Sequence, residues 1–150
     1  MESQDWIESA HRLFAVPKPE HFTNYTHCCE CAEHDETLIG KDVHSIGMDE
    51  LGNPGWDPLS FCSGEGMLYY TPALIRLSFE TLNGDFYFAD LLFHLEYLGE
   101  ENRYLKACNR RQREFIAGFV NHMILNHPDK LDQTGDPDAA LRVAELWTTP

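Results

Sequence analysis

The stretch from Asn109 to Pro128, NRRQREFIAGFVNHMILNHP, decides the fold class. Asn109 followed three residues later by Gln112 has the form of a capping box, in which each side chain satisfies the other residue's backbone amide at a helix start. Phe115, Phe119, Met123 and Ile124 then recur at helical spacing until Pro128 ends the pattern. A helix of that length must bury its apolar stripe, so its neighbours are read for partners.

Upstream, FYFADLLFHLEYL (86–98) predicts a central helix capped by Asp85 and ended by Gly99, with a broad apolar face that includes Phe86, Ala89, Leu92 and Phe93. GEGMLYYTPALIRLSFETL, entered at Ser63, predicts another helical stretch, kinked or split at Pro72 because proline lacks the amide donor and its ring clashes with the preceding turn. Asn83 and Gly84 close it. Ser3 is read as the cap of a first helix through about Phe14, stopped by Pro17 and Pro19. A second helix is expected from about His27 to Ile39, with Gly40 at its end. Residues 41–62 read as an irregular connection with one short helical turn near Asp49, anchored by Trp56, Leu59 and Phe61. Asp136 and Pro137 start a last short helix through Leu146. Strand alternation is scarce. The expectation is an all-α fold, a compact single domain over 1–150 with about five to six helices.

Composition bounds the function. At 150 residues, 43% hydrophobic and 12% aromatic, the chain can bury a core that offsets its ordering entropy. The 25 acids against 11 bases give a net charge of −14, which repels nucleic acid and anionic lipid and attracts a basic protein partner. Residues 1–60 are the more acidic part, with 12 acids and 3 bases. The amino-terminal MESQDWIESA lacks an apolar core run, and no apolar run is long enough to span a bilayer. Five cysteines, three of them crowded at Cys28, Cys29 and Cys31, make a poor disulfide framework. A cytoplasmic location is expected.

One segment concentrates ligand chemistry: HCCECAEH, His27 to His34. Read as a helix, it places His27, Cys31 and His34 on one face, with Cys28, Cys31 and Asp35 overlapping it. Imidazole and thiolate donors suit zinc, and His27, Cys28, Cys31 and His34 are the candidate ligands. One helical face rarely closes a tetrahedral site, so a further ligand would come from His44, Cys62, His94 or Cys108. A redox role for Cys28 and Cys31 needs a lowered thiol pKa, which a helix start assists and the neighbouring acids oppose. Packed or surface thiols are the plain alternative. His94 reads as a satisfied core histidine, and His122 and His127 as facing different ways. The bases from Arg103 to Arg113 read as a solvated or internally paired face before an anion site. P-loop, GxGxxG, HExxH and GxSxG patterns are missing, and no catalytic residue is assigned.

Glu30-Cys31-Ala32-Glu33-His34, WDPLSF at Trp56 to Phe61, YYTPAL at Tyr69 to Leu74 and NRRQREF at Asn109 to Phe115 together resemble a family of small bacterial proteins with a domain of unknown function. The resemblance spans roughly Glu20 to Asn126 and implies a compact helical fold with no catalytic residue to carry over. The leading expectation is a non-enzymatic acidic protein-binding module, for instance one that neutralises a basic toxin. Zinc binding by the His27–His34 cluster is the alternative.

Overall fold

A computed structural model describes residues 1–149. It contains nine α-helices, three 3-10 turns and no strand among those residues. The all-α class holds, and the expected five to six helices are corrected upward because several short helices lack a periodic signature of their own. The helices are α1 (Ser3–Leu13), α2 (Cys29–Ile39), α3 (Met48–Leu51), α4 (Gly64–Glu80), α5 (Tyr87–Glu96), α6 (Arg103–Ala107), α7 (Arg110–Asn126), α8 (Pro128–Asp132) and α9 (Ala139–Thr148). The 3-10 turns are Pro54–Trp56, Pro58–Phe61 and Gly99–Glu101.

The core is built around α7 and α4. α7 packs on α9, α1 and α8, while α4 packs on α1, α5 and α6. Trp6 of α1 meets Phe115 and Phe119 edge-on at 5.3 and 5.7 Å, and Phe88 of α5 meets Phe119 at 5.6 Å and 89°. Edge-to-face pairing suits the ring quadrupoles, and each fully buried large apolar side chain contributes about 1.5–3 kcal/mol through area removed from water. The capping box forms as expected, with Asn109 and Gln112 exchanging bonds of 2.9 and 2.8 Å.

Other ends differ from expectation. Glu2, not Ser3, occupies the α1 cap position and donates its amide to Asp5 at 3.1 Å. Phe86, not Asp85, precedes α5, and Asp138 precedes α9. Pro72 does not split α4, which runs unbroken over 17 residues. The helix tolerates a missing donor there because flanking turns are buried, with Tyr70, Thr71, Ala73 and Leu74 all inside the core.

Two devices hold α2 against this framework. Tyr70 Oη donates to the carbonyls of Leu38 and Lys41 at the end of α2. Fully buried Phe22 anchors the segment before α2, where the Ser63 amide donates to the Phe22 carbonyl at 2.7 Å. Gly66 makes room for it: a Cβ there would collide with the Cys62 sulfur and the Phe22 ring. The GEG run at the α4 entry is therefore a close-approach surface as well as a helix start.

Candidate metal centre

α2 begins two residues later than its periodicity suggests, with extended Cys28 as the cap residue and Cys29 as the first helical residue. The reason is local. Cys28 Sγ accepts the Cys31 amide at 3.4 Å, as a serine or aspartate would at the same i, i+3 spacing. Side chains in a helix lean toward its amino terminus, so Cys31 in the first turn turns back toward Cys28 and His27. Cys31 Sγ lies 3.7 Å from His27 Nδ1. Ligand atoms of His27, Cys28 and Cys31 all fall within 4.8 Å of one another.

Cys28 and His27 are exposed, whereas Cys31 is 7% exposed. The Cys31 amide lowers the Cys28 thiol to about 7, assisted by the His27 side chain and the Cys31 thiol. The hydrogen bonds at the helix start thus outweigh the desolvation that opposes them. Cys31 shifts the opposite way, raised first by its hydrogen bond to Cys28 and then by burial.

His34 stays apart from these three. It is fully buried, stacked on Phe61 at 4.9 Å and 16° and tilted against Trp56 at 4.5 Å. Neither ring nitrogen has a hydrogen-bond partner, and Glu30 Oε1 stands 3.6 Å from Nε2. The shared face expected for His27, Cys31 and His34 requires His27 to be helical; it lies before the cap instead.

The proposed sources of a further ligand are engaged elsewhere. His44 stacks on His11 at 5.2 Å, and His94 Nε2 is bonded to Asp57 Oδ2 at 2.7 Å. Cys62 and Cys108 are buried thiols, both pushed up to about 12 chiefly by desolvation. All five cysteines are free. Most bases of the Arg103–Arg113 cluster are internally spent: Arg103 donates to the Cys62, Ser60 and Leu59 carbonyls, Lys106 pairs with Glu101, Arg110 with Glu114, and Arg113 donates to Leu105. His122 and His127 sit closer than expected, with rings 6.3 Å apart.

The site's support is the Asp35 carboxylate, which the sequence places on the candidate face without showing what it bonds. Asp35, one helical turn beyond Cys31 and 3% exposed, accepts the Phe22 and Thr23 amides at 2.6 and 3.1 Å and bonds His21 Nδ1 at 2.7 Å. Burial alone would raise its pKa, but His21 and the two amides outweigh that and hold it below the usual carboxylate value. Thr23 Oγ1 in turn donates to the Cys31 carbonyl at 2.7 Å. These bonds fix the segment that delivers His27 and Cys28. Asp35 followed by helical Leu38 gave no local sign of a partner 13 residues upstream.

No family model, curated protein or solved structure matches the chain. No helix among the described residues is long and apolar enough to cross a membrane.

Proposed function

We propose that the protein binds one zinc ion through His27, Cys28 and Cys31. The observation that carries this reading is the convergence of one imidazole and two thiol donors within 4.8 Å. Tetrahedral zinc, with Zn–S of about 2.3 Å and Zn–N of about 2.0 Å, sets such donors about 3.5–3.8 Å apart, so the cluster needs to contract by about 1.3 Å at most. The 3.7 Å separation of Cys31 Sγ and His27 Nδ1 already meets that spacing. With three protein donors, two of them exposed, the fourth position is left to water or an external ligand. The free thiols fit a reducing compartment such as the cytoplasm.

Competition with a chromophoric chelator tests this. Cys28→Ser and Cys31→Ser are expected to weaken zinc binding by at least about 100-fold, and His27→Ala by about tenfold or more. His34→Phe removes a ligand type but keeps the stack on Phe61, and it leaves affinity unchanged. Equal affinity in all four variants, or a loss confined to His34→Phe, contradicts the assignment.

A second reading rests on the acidic face beside the cluster. Glu30, Glu33 and Glu36 are exposed on α2, while Lys18 is turned onto the Ile39 and Lys41 carbonyls at 2.8 and 2.7 Å. We infer that this surface docks a basic protein partner. Retention of a basic partner at low salt, with release near 0.5 M on the order of the ionic strength that screens surface charge, is the expected result. Retention that is indifferent to salt contradicts it.

A further inference from the structure

Away from the cysteine site, Phe61, Phe93 and Tyr97 are large aromatic side chains left 40–54% exposed. They line a cavity of about 240 Å³ whose inner wall includes Met67 and Tyr104. A second cavity of about 280 Å³ shares Ser60, Phe93 and His94 with the first and adds Pro54, Asp57 and Asp90. The result is two adjoining, mainly apolar chambers, the second edged by Asp57 and Asp90, with Ser60, Phe93 and His94 common to both. Their edge carries a strained turn, because Leu98 directly after Tyr97 is the one non-glycine residue among those described with positive φ, at 67°.

The charges in the chambers are unevenly satisfied. Asp57 bonds His94 and also accepts the Leu59 amide at 2.9 Å. Arg103 reaches the first chamber, but its Nε and Nη2 are committed to the carbonyls of the Pro58–Phe61 turn and of Cys62. Asp90 is half-buried and has neither a hydrogen bond nor an ion-pair partner among the described residues. Burial first, and then Asp57, raises its carboxyl above the ordinary value, against a smaller opposing effect of His94. A half-buried carboxylate with no bonded partner, beside an exposed aromatic ring, favours a cation between them.

We propose that these chambers bind a small organic ammonium ion, its cationic head between Asp90 and Phe93 and its aryl or alkyl substituent among Phe61, Met67 and Tyr97. Three physical features favour this class. The aromatic faces attract cations more strongly than neutral groups. The net charge of −14 concentrates cations at the surface and repels anions. Each chamber is below the range typical of drug-sized ligands, which limits the occupant to a head and one compact substituent.

The test uses three probes of one shape on the intact protein at pH 7 and low salt: phenethylammonium, 2-phenylethanol and phenylacetate, titrated by calorimetry or chemical-shift perturbation. Phenethylammonium is expected to bind about tenfold or more tightly than either of the others. Asp90→Asn should remove most of that preference while leaving the alcohol's affinity unchanged, and Phe93→Ala should weaken both, the ammonium more than the alcohol. Asp90→Asn deletes a charge with no bonded partner, so its thermal midpoint should not fall, which separates lost binding from lost folding. Equal affinity for ammonium and alcohol reduces the site to an apolar hole, and tighter phenylacetate hands it to Arg103. Either result overturns the proposal, as does no binding at millimolar probe or an ammonium preference that survives Asp90→Asn.

Discussion

Asp57→Ala is expected to destabilise the fold by about 2–6 kcal/mol, the cost of leaving two buried N–H donors without their acceptor at about 1–3 kcal/mol each. Both side chains are 6% exposed, and His94 Nε2 meets Asp57 Oδ2 at 2.7 Å. The loss has two parts. His94 is left buried with no acceptor for its ring N–H, and the Leu59 amide loses its acceptor at the start of the Pro58–Phe61 turn. That turn is what α2 packs on, so the damage extends from α5 to the helix bearing the cysteines. Urea unfolding measures it directly. A loss below about 1 kcal/mol would mean that the pair is no better than a surface contact.

Asp35→Ala is expected to cost a similar amount, about 2–6 kcal/mol, because it orphans the two buried amides of Phe22 and Thr23; the exposed His21 ring can turn to water. Asp35→Asn retains an oxygen for the Phe22 and Thr23 amides and should cost distinctly less. The same carboxylate gives a pH signature. Its folded-state pKa is depressed below the ordinary value, so its contribution is fully present above the unfolded pKa of about 4 and is lost as pH falls through the lower folded value. Wild-type stability should therefore fall more steeply than that of Asp35→Asn on acidification below about pH 4. Parallel stability–pH curves for the two would contradict the assignment. Since Asp35 fixes the segment carrying His27 and Cys28, Asp35→Ala should also weaken any metal held there.

What was legible in the chain was local. The Asn109–Gln112 capping box and the Pro128 stop placed α7 correctly because each signal acts within one helical turn. The five-residue helices α6 and α8 were missed, since a segment that short shows barely one period of any pattern. Pro72 does not split α4: proline's local cost is real, yet the buried surface on either side of it keeps the helix continuous.

The candidate site divides the same way. His27, Cys28 and Cys31 could be picked out by residue type and spacing, although the operative geometry is a cap residue, its predecessor and a first-turn residue rather than one helical face. His34 shares the motif but not the site, because Trp56 and Phe61 cover it, and contacts more than 20 residues away leave no mark in an eight-residue window. Asp57 and His94, separated by 37 positions, were equally invisible as a pair.

The most direct measurement of the zinc reading is the metal content of protein purified under reducing conditions without a polyhistidine tag. The geometry predicts one zinc per chain, removed by a strong chelator with a lowered unfolding midpoint and restored together with that midpoint when zinc is returned. A fully reduced chain that carries no zinc, takes none up when it is supplied and unfolds at the same temperature with or without chelator would contradict it.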